Sequence, residues 1–209
     1  MKKIILMFAA VIMTAGVMSA QDINQATESY NNGAMELQMG NNGAAIEYFQ
    51  SALTMGEALG DEGAELVANC KKAICSAYLG MAKDLYNAKA FDEAAAAFQQ
   101  AKEVAEGYGE AEVAAEAAEL VNQANILKFN TEGKAAMKAK DFATAIASFK
   151  KVLELDPTNG AVAVQLGQAC MNAGQFDEAV AALETAKANG QEKNAGKLLG
   201  ITLGICAVS

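Results

Sequence analysis

Apolar residues recur along this chain at intervals of three and four, not two. The pattern is sharpest between Asn130 and Asn189. Ala145, Phe149, Val152 and Leu153 are spaced so that all four share one face of a helix. Upstream of them Asn130 to Ala139 reads as a partner helix, with Lys140-Asp141 as the turn and Phe142 following. Leu155-Asp156-Pro157 closes the second helix, because proline cannot continue it and restrains the residue before it. Gly133, Ala145 and Phe149 then reappear 34 residues later as Gly167, Ala179 and Leu183. No stretch shows sustained period-two alternation of β-branched residues, so strand candidates are missing and the chain reads as all-α.

The same order of small, alanine and large residues occurs twice more upstream. Gly33, Gly40, Ala45, Phe49 and Ala52 form one instance; Tyr78, Ala82, Leu85, Phe91, Ala94, Phe98 and Ala101 form the other. Gly33 and Ala82 are 49 residues apart and Ala82 and Gly133 are 51 apart, so these periods are stretched by 15 and 17 residues. That is about four extra helical turns shared among the intervening helices. Long helices are therefore expected over Glu65–Asn87 and Glu110–Ala139. The chain divides into units at 21–62, 63–109, 110–157 and 158–189, with 190–209 as a terminal or truncated helix. Leu199-Gly200 begins that helix, and no charged side chain follows Lys197. Either it packs completely against the fourth unit or the chain is a fragment of a longer array, and the second reading is preferred.

A 34-residue period of two amphipathic helices resembles the tetratricopeptide repeat (TPR) family, specifically so over Asn130 to Asn189. The family's tryptophan is absent throughout, with Tyr78 its nearest substitute. The resemblance implies a right-handed superhelical solenoid of four helical hairpins plus a terminal helix. It also implies a non-catalytic protein-binding scaffold whose first helices line a concave groove. Carried onto this chain, the inward positions are Tyr30, Leu37 and Gln38 in the first unit and Leu79, Lys83, Tyr86 and Asn87 in the second. The third unit supplies Asn130, Lys134, Met137 and Lys138, and the fourth Val164, Gln168, Met171 and Asn172. Asparagine and glutamine can bond a peptide backbone in both senses, and tyrosine and methionine add adaptable apolar contact. The lysine–asparagine clamp of the chaperone-tail-binding subset is missing, since Tyr30 and Ala34 occupy its first-unit positions.

Lys2 and Lys3 precede an uncharged apolar run, Ile4 to Val17, and the small residues Ser19 and Ala20 precede Gln21. This is the form of a secretory signal peptide over residues 1–20, with cleavage after Ala20 or Ser19. No cysteine lies near the cleavage point, which disfavours a lipoprotein. The short apolar run looks bacterial and places the mature chain in the periplasm or outside the cell. The full chain carries a net charge of -9, and losing Lys2 and Lys3 takes it to -11. Such a surface repels phosphate backbones, so nucleic acid is not an expected partner, and no later stretch reaches membrane-spanning length. Of the four cysteines, Cys70 and Cys75 are five apart on one predicted helix, a spacing that fits neither a zinc knuckle nor a redox pair. Cys70, Cys75, Cys170 and Cys206 are expected to be packing atoms.

The chain has no histidine, which removes the commonest general base and metal ligand. Carboxylate pairs such as Glu116 and Glu119 sit on helical faces expected to be solvated. Gly40-Asn41-Asn42-Gly43 lacks the strand and lysine of a phosphate loop. No catalytic residue, metal site or cofactor is assigned. Lys134 and Lys138 are four apart on one helical face, and Lys83 is expected on the same wall one repeat earlier. In an acidic chain, these lysines favour a partner segment bearing Asp or Glu. The alternative is a glycan- or ligand-handling accessory of the envelope, weakened by the scarcity of aromatics among the inward positions.

Overall fold

The computed structural model of the chain describes residues 20–206. The expected signal segment lies outside them, apart from Ala20 at the start of the first helix. Described residues form α1 (Ala20–Gln38), α2 (Asn42–Ala58), a 3-10 turn (Gly60–Gly63), α3 (Ala64–Asn87) and α4 (Phe91–Tyr108). These are followed by α5 (Ala111–Ala139), α6 (Phe142–Leu155), α7 (Gly160–Asn172), α8 (Phe176–Ala188) and α9 (Glu192–Cys206). The two long helices appear where the stretched periods require them, α3 with 24 residues and α5 with 29. The described residues form two compact units, 20–81 with 103–113 and 82–102 with 114–206. The division falls within α3, α4 and α5.

The recurring small and large residues turn out to be sockets and plugs sixteen positions apart. A Cβ added to Gly33 would lie 2.8 Å from the Phe49 ring, one on Gly133 2.6 Å from the Phe149 ring, and one on Gly167 2.6 Å from Leu183 Cγ. Side chains cannot approach that closely, so glycine is what lets the second helix of each hairpin press its large residue onto the first. Ala82 and Phe98 stand at the same sixteen-residue spacing, and both are fully buried. Ala45, Ala94, Ala145 and Ala179, four positions before each plug, are likewise sealed from solvent.

Each hairpin turns by the same device. Gly40, Lys89, Lys140 and Gly174 occupy equivalent places after the first helix, all with positive φ between 61° and 80°. The amide after each donates back to a carbonyl five residues earlier: Asn41 to Glu36, Ala90 to Leu85, Asp141 to Ala136 and Gln175 to Cys170, at 2.9–3.0 Å. These are Schellman ends, which satisfy carbonyls the helix leaves bare. Side chains cap α6 and α7: Asp141 accepts from the Thr144 amide at 3.1 Å, and Asn159 from the Val162 amide at 3.1 Å.

The first unit closes around Phe49, Leu53, Cys70 and Ile74, with Tyr108 and Val104 packed against them. In the second unit Phe149, Val152, Val162, Leu166 and Cys170 form one core, and Ala163, Leu183, Ala186 and Ala195 another. Cys70, Cys75 and Cys170 are free buried thiols, in line with their expected packing role. Burial pushes the Cys70 and Cys75 thiols up to about 11, with Glu110 adding to the effect at Cys75. The Cys206 side chain lies outside the described residues. α9 packs on α8 through Ala195, Leu198 and Leu199. That packing is one-sided rather than complete: Thr202 is buried, whereas Ile201 and Leu203 are 47% and 55% exposed.

Candidate partner-binding face

Tyr30, Leu37, Gln38 and Leu79 belong to the first unit, and the remaining expected groove residues to the second. Of these four only Gln38 is exposed. Tyr30 lies against Phe49, with ring centroids 5.3 Å apart, and Leu37 packs on the same core. Leu79 is buried, at 6% exposure, so it has no surface to offer a partner. The α3 register turns it inward, as it does Cys75, Ala77 and Ala82.

In the second unit the structure brings several of the expected residues onto one neighbourhood. Met137 of α5 and Met171 of α7 are both half-buried against the core around Phe149, and Met171 with Val164 also covers the core around Leu183. Gln168 and Asn172 follow along the exposed side of α7, and Lys134 and Lys138 along that of α5. Met137 and Met171 thus share one core, with an exposed cation beside the first on α5 and an exposed amide beside the second on α7. Tyr86 leans edge-on against Phe91 at 5.6 Å and Phe98 at 6.1 Å, serving its own hairpin, while Asn87 is exposed.

The expected row of three free lysines does not hold. Lys83 Nζ is 2.7 Å from Glu116 Oε1, with both side chains about half exposed at 46% and 50%. The sequence placed Lys83 on a wall but gave no sign that the α5 carboxylate stands opposite. Lys134 and Lys138 have no ion-pair partner among the described residues. Nearby, Lys128 pairs with Asp92, and Lys151 lies over the Phe129 ring at 4.6 Å. Lys134 and Lys138 thus put two cations without an ion pair on one turn of α5.

Three features escaped sequence reasoning. Asn130 Oδ1 and Gln165 Oε1 are buried and accept no hydrogen bond from the protein, and Gln165 was not among the expected residues. An open cleft of about 410 Å³ is lined by Lys89, Phe91, Asp92, Glu93, Lys128 and Glu132, among others. It arises where the start of α4 meets the middle of α5, a contact between residues almost forty positions apart that carries no local signal. Its charges are mixed, and Lys128 and Asp92 satisfy one another. Among the described residues no group of three or more Asp, Glu, Cys or His is placed to hold a metal, and no helix is long and apolar enough to cross a membrane.

Residues 136–200 match the family model described as tetratricopeptide repeat. Over this stretch the chain is similar to a tetratricopeptide repeat. The match runs from the end of α5 into α9, and includes the Gly167–Leu183 socket. Among solved structures, the chain is similar to the C-terminal TPR-containing domain of an FK506-binding protein from Plasmodium falciparum, at 15% identity over 91% of this chain and 94% of that one, with a TM-score of 0.34. It is also similar to a point mutant of MamA, at 16% identity over 90% of each chain, with a TM-score of 0.32. Scores this low carry no argument about function. None of the curated proteins matches the chain. Tetratricopeptide repeats generally bind proteins or peptides and are generally non-catalytic.

Proposed function

We propose that the chain is an exported, non-catalytic scaffold of a bacterial cell envelope that binds a partner protein on the α5–α7 face of its second unit. The observation that carries this reading is the Lys134–Lys138 pair. Both are exposed, neither has an acidic partner among the described residues, and they stand beside the half-buried Met137 in a chain of net charge -9. An acidic segment lying along α5 would meet both cations and cover the methionine.

Exposed pairs are worth little, roughly 0.2–1 kcal/mol each, so the lysines act mainly on encounter rate and salt dependence. Lys134→Glu with Lys138→Glu is expected to weaken binding of a partner captured from envelope extract and to flatten its salt response, with helicity unchanged. Normal binding by this double variant at low salt removes the cations from the reading. A glycan array tested alongside decides the class of ligand: glycan binding with no protein partner overturns the scaffold. Export is tested separately by mass spectrometry of the mature N-terminus, and an intact Met1 on the soluble protein contradicts it.

A further inference from the structure

The chain contains four Asn-Gly pairs, at Asn32, Asn42, Asn159 and Asn189. In such a pair the glycine nitrogen can attack the asparagine side-chain carbonyl, because no Cβ shields it. The fold restrains three of the four. Asn32 lies inside α1, and its Gly33 is pressed under the Phe49 ring. Asn42 is in α2 and buried, with its amide packed against Gly80. Asn159 is held at both ends: its Oδ1 accepts from the Val162 amide at 3.1 Å and its Nδ2 donates to Asp156 Oδ2 at 3.0 Å. The Gly160 amide is also engaged, donating to the Thr158 carbonyl at 2.8 Å.

Asn189-Gly190, in the turn between α8 and α9, differs on each count. Asn189 Nδ2 reaches the Pro157 carbonyl only at 3.3 Å, and the Gly190 amide reaches the Lys187 carbonyl only at 3.3 Å. Both exceed the ordinary N–H···O range, which ends near about 3.2 Å. Gly190 has φ 82°, is exposed, and has nothing within 4 Å of where a Cβ would stand. The nucleophile and the amide it attacks are therefore both weakly held.

We propose that Asn189-Gly190 is the preferred site of spontaneous deamidation in the folded chain. The Gly190 nitrogen loses its proton to water and bonds to Asn189 Cγ, and the side-chain nitrogen leaves as ammonia. Water then opens the resulting cyclic imide at either carbonyl, leaving aspartate or iso-aspartate at position 189. Either product places a carboxylate where an amide donated to the Pro157 carbonyl. The iso-aspartyl form also lengthens the backbone where two turns approach closely, since a Cβ on Gly160 would lie 2.5 Å from the Asn189 carbonyl oxygen. The modification thus separates the α6–α7 turn from the α8–α9 turn and loosens α9 on α8.

The test is peptide mapping by mass spectrometry of the full chain held in neutral buffer, native and in urea. Conversion at Asn189 is expected to exceed that at the other three by about tenfold in the native protein, and the four rates to converge in urea. Asn189→Gln should remove the fast conversion without altering helicity. Equal native rates, or Asn159 converting first, overturn the assignment. Hydrogen exchange of the modified fraction should be faster in α9 than in unmodified protein; identical exchange refutes the loosening.

Discussion

Replacing Phe149 with alanine offers the most demanding test of the socket-and-plug packing. The ring is fully buried, and the residues around it in the core include Ala136, Ala145 and Ala179, with Gly133 directly beneath it. Those neighbours cannot fill the vacated space, and although Leu166, Met137 and Met171 of the same core can relax part-way into it, the loss should fall within the about 3–5 kcal/mol typical of Phe→Ala. Gly133→Ala acts in the opposite sense. Its Cβ would fall 2.6 Å from Phe149 Cε1 and 2.8 Å from Cδ1, an overpacking cost of about 1–3 kcal/mol, partly offset by up to about 1 kcal/mol of helix propensity. In the double variant the new methyl group has room, so its steric cost vanishes and it fills part of the cavity. The two changes should be coupled by about 1–3 kcal/mol in the favourable direction, read from urea unfolding followed by far-ultraviolet circular dichroism. If the single effects add to within about 0.5 kcal/mol, Phe149 does not bear on Gly133 and the argument fails.

Other expectations follow from the caps, the turns and the thiols. Hydrogen bonds from the Thr144 side chain and backbone hold the Asp141 carboxyl below its usual range. Its contribution is therefore present above the unfolded-state pKa and lost as pH falls through the folded-state value. Asp141→Ala should be less stable than the wild type near neutrality and indistinguishable from it at the acid end of a thermal-melt series. Lys89 and Lys140 both have φ 61°, a conformation costly for any residue with a Cβ, so Lys89→Gly and Lys140→Gly should each stabilise by roughly 0.5–1 kcal/mol in denaturant titrations. Cys70 and Cys75, buried and raised to about 11, should resist a thiol-specific reagent at mildly alkaline pH in the native protein and react promptly in urea. Prompt native labelling would show that α3 opens readily.

The helical hairpins were legible because their signals are local. Period, turn residues and the order of small and large positions all lie within a few dozen residues, so both long helices and all four plugs could be placed in advance. What escaped depended on the approach of distant residues. The opposition of Lys83 and Glu116, the cleft between the start of α4 and the middle of α5, and the buried acceptors of Asn130 and Gln165 are set by how helices settle on one another. Leu79 shows the limit from the other side: a repeat register stretched by 15 or 17 residues no longer fixes which face a residue presents.

The sixteen-residue interval between socket and plug also bears on how the chain reaches its fold. Gly33 and Phe49, Gly133 and Phe149, and Gly167 and Leu183 each meet across one tight turn, so the principal contact of these hairpins closes a short loop at small entropic cost. A chain organised in this way has low contact order, the regime in which helical proteins fold in microseconds to milliseconds. The Schellman turns lie midway in each loop and bias it toward closure before any neighbouring hairpin is present. Assembly can then begin at whichever hairpin closes first and spread to its neighbours.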